Sequence, residues 1–285
     1  MWQIIKQYAR LCKSILSIAI AFSAIVGFAI SQTLYFQSVL LLFVGVFFLS
    51  AGASALNQYL ERKTDALMQR TASRPIPSGF IKPKQALIAI VICIVLGTIV
   101  LSFLSFYSVL LGLLNIVLYA FVYTPLKYKS NLATIPGGLV GAIPSLMGWF
   151  AAGEQTFSVG ILFFATFMFL WQIPHFLILN LKYSDDYKKA GISTLVGDFS
   201  QDKMKMIFFL WASCAIIVSF LFPVVGIVTG PIQMYILLGL NIAVLVMFSY
   251  LVFYRNGERI VKGNIFMHSY LLVQFLLIVF GRIVF

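Results

Sequence analysis

The sequence predicts an all-α, polytopic membrane protein, and three observations carry that reading. The chain of 285 residues is 61% hydrophobic and only 10% charged, with a mean hydropathy of +1.01. That leaves too little polar surface for a water-soluble domain of this length. The apolar residues come in long continuous runs, not in the short alternating segments of a membrane barrel, so the lipid-embedded backbone satisfies its hydrogen bonds within helices. The charges are also sorted, with Lys and Arg gathered in the short segments between runs, which is the pattern that orients helical membrane proteins.

Taken in order, the spans are expected near 15–33, 37–58, 85–105, 107–125, 133–151, 158–181, 205–227, 232–254 and 265–283. The segment Met1 to Ser14 carries Lys6, Arg10 and Lys13 ahead of an apolar run from about Ile15 to Ile30. That run exceeds the apolar region of a secretory signal and further spans follow, so an uncleaved first helix is expected. Nine spans put the two termini on opposite sides. With the N-terminus in the cytoplasm, 19 of the 20 basic residues, including Arg255, Arg259 and Lys262, fall on the cytoplasmic side and Arg282 alone on the other. The net charge of +12 therefore belongs to membrane orientation, and no nucleic-acid partner is expected. Cys12, Cys93 and Cys214 have no metal-ligand spacing and read as small core hydrophobes. The chain is expected to form a single transmembrane domain over residues 1–285, embedded in the lipid bilayer.

Chemistry concentrates at the end of the second span. Asn57, Glu61 and Asp65 stand at i, i+4 and i+8, which places three oxygen-bearing side chains on one helical face. Of the eight acidic residues only Glu154 is expected outside, and four of the others form the groups Glu61/Asp65 and Asp185/Asp186. These groups follow the second and sixth spans, which run in the same direction, and each precedes a long cytoplasmic loop, a hint of parallel duplication. Taken singly, such acids cap helices or pair with neighbouring Lys and Arg. Taken together, on a chain so poor in acids, they suit a hard cation such as Mg²⁺, which prefers oxygen ligands and is completed by substrate phosphates. Arg70 and Arg74 face the same way if the helix continues, and arginine suits bidentate phosphate contact. Lys127 is a snorkelling lysine by itself and a phosphate partner in such company. In the sixth span, Pro174 bends the helix beside His175. A lone intramembrane histidine is commonly a hydrogen-bonded core residue, and imidazole is also an axial ligand of haem iron. Gly137, Gly138, Gly141 and Gly148 thin the fifth span, for close packing or to leave room for an apolar substrate.

In this order, Asn57-Gln58 through Glu61, Asp65, Met68, Arg70-Thr71, Arg74-Pro75 and Gly79, then Tyr123-Thr124 with Leu126-Lys127, Gly141-Ala142-Ile143-Pro144 to Gly148-Trp149, Trp171-Gln172-Ile173-Pro174-His175-Phe176, and Asp185-Asp186-Tyr187 with Ala190-Gly191-Ile192, the blocks resemble the protohaem IX farnesyltransferase (haem O synthase) family of the UbiA-type intramembrane prenyltransferase superfamily. The acidic blocks resemble the whole superfamily, and the Trp171–Phe176 and Asp185–Ile192 blocks narrow the resemblance to the haem-modifying branch. Lys63 and Glu61 depart from the pattern, since many relatives carry an acid at the former position and Asp at the latter. The resemblance implies a nine-helix prenyltransferase bundle in the bacterial cytoplasmic (inner) membrane, with its active-site loops on the cytoplasmic face. It implies Mg²⁺ held by Asn57, Glu61, Asp65, Asp185 and Asp186, and farnesyl diphosphate contacted by Arg70, Arg74 and Lys127. Asp65, Asp186, Tyr123 and Tyr187 would be catalytic, either tyrosine orienting the diphosphate or stabilising an allylic cation. Haem b would be the acceptor, a substrate and not a permanent cofactor, with His175 binding it, and haem O the product. Haem A synthase or the terminal oxidase would be candidate partners. The alternatives are an aromatic or other tetrapyrrole acceptor within the superfamily, or an ion-coupled secondary transporter.

Overall fold

The structure, a computed structural model, describes residues 1–31, 34–192, 199–254 and 263–284. Arg255, Arg259, Lys262 and the last two residues of the first expected span lie outside the described residues. The elements are all helical: α1 (Trp2–Leu11), α2 (Ser14–Ser31), α3 (Phe36–Leu60), α4 (Arg62–Asp65), α5 (Pro83–Ser102), α6 (Phe106–Val117), α7 (Thr134–Ala151), α8 (Val159–Lys182), α9 (Ser184–Lys189), α10 (Gln201–Phe220), α11 (Pro231–Ser249) and α12 (Gly263–Val284). A π-helical turn, Leu118–Tyr123, carries α6 into a last turn at Thr124–Leu126. Among the described residues, nine helices are long and apolar enough to cross a membrane. This is an integral membrane protein, and the all-α expectation holds.

Local chemistry sets the helix ends. Pro83 opens α5 where its missing N–H costs nothing, and the Gln85 side chain accepts the Lys82 N–H at 2.9 Å. The seventh span corrects the expected 205–227. It runs Asp202–Phe220, beginning early because Ser200 Oγ accepts the Lys203 N–H at 3.4 Å. It stops early because Pro223 cannot continue the helix and Gly226 turns the chain at φ 74. The N-terminal segment, read from sequence as a charged lead-in, is itself a helix. The Gln58 side chain donates to the Arg10 and Leu11 carbonyls at 3.0 and 2.8 Å, satisfying the open end of α1.

In lipid, helices associate by close packing and not by escaping water. The α2–α7 contact shows how tight that is. A Cβ on Gly148 would lie 1.7 Å from the Ala24 carbonyl oxygen, and one on Gly27 would lie 1.8 Å from that of Ser145. The last three spans are joined instead by a neutral polar cluster. Asn241 Oδ1 accepts from the Tyr270 hydroxyl at 2.8 Å and from Gln274 Nε2 at 3.1 Å, and Ser219 hydrogen-bonds both Asn241 and Gln274. At one end of the bundle Ser31 donates to Glu154 at 2.6 Å, and Arg282 donates to the Ile30 and Gly226 carbonyls. The motif acids of α3 and α4 gather at the other end.

Candidate active site

The site begins with helical phase. Glu61 interrupts α3 at φ −89, ψ 5, yet its N–H reaches the Asn57 carbonyl at 2.9 Å and the Asp65 N–H reaches the Glu61 carbonyl at 2.8 Å. The i→i+4 ladder therefore survives the interruption, and Asn57, Glu61 and Asp65 line one cavity of about 230 Å³. All three are buried, with Asp65 fully so. A carboxylate in an apolar interior needs a paired cation. Arg74 Nη1 donates to both Asp65 oxygens at 2.7 and 2.6 Å, and Glu61 pairs with Lys127. Asn57 Nδ2 donates to Thr124 Oγ1 at 3.1 Å, which leaves its carbonyl oxygen for another partner.

The condition under which Arg70 and Arg74 share a helical face, a helix continuing past Asp65, is not met. Beyond Asp65 the chain runs in turns, closed by Thr71 Oγ1 donating to the Asp65 carbonyl at 2.8 Å and by Gly79 at φ 77. Both arginines still reach the same cavity. The second acidic group lies across the loop. Asp186 accepts the backbone N–H groups of Gln69 and Arg70 at 3.3 and 3.2 Å, and the Arg70 guanidinium rests 4.6 Å from the centre of the Tyr183 ring. Asp186 thus fastens α9 to the arginine-bearing turns, while Asp185 is exposed, and neither aspartate lines the cavity. Ala190-Gly191-Ile192 is a helix stop: Gly191 adopts φ 66 and the Ile192 N–H returns to the Tyr187 carbonyl at 2.9 Å, the left-handed cap that favours glycine. It returns Ile192 to the cavity wall beside Tyr187. Burial raises the Tyr187 hydroxyl above its ordinary pKa, so it stays protonated as a donor.

Below the polar cavity lies an apolar one of about 310 Å³, and the two share Leu16, Tyr119, Tyr123, His175 and Phe176. The π-helical turn presents Tyr119 and Tyr123 together, their rings stacked 5.7 Å apart, a local irregularity frequent at functional sites. The fifth-span glycines divide between both readings offered for them. Gly148 seats α2, whereas Gly137 and Gly141 line the apolar cavity.

Sequence reasoning missed three contributors. Lys13 lines the polar cavity, held there with a left-handed φ of 45 just past α1. Loss of hydration and the nearby positive charge of Arg74 lower its pKa to about 8. Tyr119 stands four residues before Tyr123, a spacing that puts both on one helical face and was the signal that could have found it. His268 comes from the last span, and nothing in its local sequence marks it.

The donors fit a hard cation meeting an anion. Oxygens of Asn57, Glu61 and Asp65 converge where Lys13, Arg70, Arg74 and Lys127 outnumber the two carboxylates. Among the described residues, no three His, Cys, Asp or Glu side chains come close enough to hold a metal by themselves.

Bundle and cavities together define a class of polytopic membrane enzyme that meets an anionic head and an apolar tail at one point. The chain belongs to the UbiA prenyltransferase family, whose sequence profile matches residues 17–270, and is a prenyltransferase. It is 38% identical over 192 residues to the protoheme IX farnesyltransferase of Cytophaga hutchinsonii, covering 66% of each chain. It is 35% identical over 233 residues to that of Christiangramia forsetii, covering 81% of this chain and 76% of the relative. Among solved structures, the fold matches a digeranylgeranylglyceryl phosphate synthase with a TM-score of 0.78 at 20% identity, covering 98% of both chains. A UbiA homolog from Archaeoglobus fulgidus bound to DMAPP and Mg²⁺ matches with a TM-score of 0.72 at 17% identity, covering 96% of this chain and 97% of that one.

Proposed function

We propose that the chain transfers the farnesyl group of farnesyl diphosphate to a vinyl group of haem b, water completing a hydroxyethylfarnesyl side chain and diphosphate leaving. One observation carries the reading: a cation-rich cavity and an apolar cavity share a wall at Tyr119, Tyr123 and His175. An isoprenoid diphosphate laid across that wall has its head among the cations, its tail among apolar side chains, and its reactive carbon between them. The names of the relatives supply the acceptor.

Asn57, Glu61 and Asp65 would hold Mg²⁺, and Asp186 would hold Arg70 in place. When bound, the ion supplies positive charge where diphosphate charge develops. Arg70, Arg74, Lys127 and Lys13 bind the diphosphate oxygens, with the Tyr187 hydroxyl as a further donor. Arg74 and Lys127 are paired with Asp65 and Glu61, so they stand beside the place where the anion arrives. The allylic C–O bond breaks with its electron pair leaving on diphosphate. The vinyl π electrons form the new C–C bond, and water adds to the ring-side carbon as its proton passes to the departing diphosphate. Tyr123 and Phe176 face that point and keep bulk water from the cation. His175 binds the acceptor at its iron. The cation-rich end faces the cytoplasm by the distribution of Lys and Arg.

Membranes containing the protein, given haem b, farnesyl diphosphate and Mg²⁺, should yield a haem species heavier by a farnesyl group plus water. EDTA should abolish it, and Asp65→Asn should lower it about a hundredfold to a thousandfold. Cleavage of the diphosphate without any prenylated haem would keep the donor half and overturn the acceptor.

A further inference from the structure

The chain has two histidines, 93 positions apart, and the fold puts them in contact. His175 of α8 and His268 of α12 have ring centres 5.0 Å apart with planes at 78°, and both line the apolar cavity. The same two helices also meet where Tyr270, two residues after His268, packs on Trp171, one turn before His175, with centroids 4.9 Å apart. Tyr270 is itself fixed by its hydrogen bond to Asn241. Two polar rings meeting at membrane depth, in a chain otherwise without histidine, ask for a ligand that uses imidazole.

We propose that His268 is the positioning residue for His175 in acceptor binding; this rests on haem b being the acceptor. Rings in edge-to-face contact leave no gap for an iron between them, so the pair does not supply two axial ligands to one haem. One imidazole meets the metal and the other braces it. His175 is the ligand because it lines both cavities and so stands nearest the reacting carbon. His268 lines the apolar cavity alone and sets the rotation of the His175 ring, the role that outer partners of metal-bound histidines fill.

The test is a spectroscopic titration of the purified full chain with haem b and, separately, with metal-free protoporphyrin IX. Mg²⁺-dependent binding of farnesyl diphosphate reports folding of each variant. The wild type should bind haem b with an imidazole-ligated spectrum and bind protoporphyrin IX more weakly. His175→Ala should lose that spectrum, and added imidazole should restore it. His268→Ala should keep the spectrum but weaken haem b binding about tenfold to a hundredfold, leave protoporphyrin IX binding unchanged, and be partly rescued by His268→Gln. Unchanged haem affinity in His268→Ala overturns the inference, as does loss of the imidazole spectrum there but not in His175→Ala. Equal binding of both tetrapyrroles by the wild type, without an imidazole spectrum, removes the iron contact and leaves the acceptor reading standing. If neither tetrapyrrole binds while farnesyl diphosphate does, the acceptor reading itself has failed.

Discussion

Two of the clusters of buried polar groups in the protein are built on opposite rules. At the end of α3 the groups are charged, paired one to one and turned toward a cavity: Asp65 with Arg74 and Glu61 with Lys127. Between α10, α11 and α12 the groups are neutral and bonded to one another: Ser219, Asn241, Tyr270 and Gln274. Of the two sets, the first alone lines either of the two cavities described above. Ion pairs beside a cavity can exchange partners when an anion and a cation enter. A closed neutral cluster has nothing to exchange and can only hold helices together. The same expense of burying polarity in a membrane thus serves chemistry in one region and architecture in the other.

The comparison breaks first at Asp65. Asp65→Asn keeps the size of the side chain and removes the charge facing Arg74, and turnover should fall about a hundredfold to a thousandfold. Membrane insertion and detergent-stable folding should persist. Activity near the wild-type level would make Asp65 an architectural group like its neutral counterparts. The converse substitution is Asn241→Leu, which strands Tyr270, Gln274 and Ser219 without their shared partner. Thermal unfolding in detergent should show a loss of about 1–2 kcal/mol, while Mg²⁺-dependent binding of farnesyl diphosphate per folded molecule stays within about twofold, since no bond to that ligand is lost. A variant as stable as the wild type but unable to bind farnesyl diphosphate would place the cluster in the diphosphate site and erase the distinction.

What the sequence disclosed follows the same division. Asn57, Glu61 and Asp65 were legible because their common face depends on i→i+4 spacing, a local property that survived even the break at Glu61. Helix number was legible because apolar length is set by the bilayer. The turns after Asp65 were not, because Asp186 holds that backbone from more than a hundred residues away. Asp185 and Asp186 read as an equivalent pair, yet one is exposed and the other accepts the Gln69 and Arg70 amides, a difference set by tertiary docking of α9. The neutral cluster left no trace in the pattern, since one Ser, Asn, Tyr or Gln per span is unremarkable until the spans meet. His268 is hidden for the same reason.

Lys13 sharpens the comparison on its smallest scale, because it sits in the charged region without belonging to either acidic block. Positive charge ahead of a first span reads as orientation, and three cations there, Lys6, Arg10 and Lys13, look interchangeable. The fold separates them. Gln58 caps α1, the chain turns through φ 45, and Lys13 alone enters the polar cavity. If it binds diphosphate, Lys13→Met should raise the KM for farnesyl diphosphate about tenfold, the loss of roughly one charge-assisted hydrogen bond, with little change in kcat. Lys6→Met, outside the cavity, should leave both constants within about twofold. Steady-state kinetics on the two variants decides the matter: equal effects would return Lys13 to the orienting charges, and a fall in kcat without a change in KM would move it from holding the diphosphate to assisting its departure.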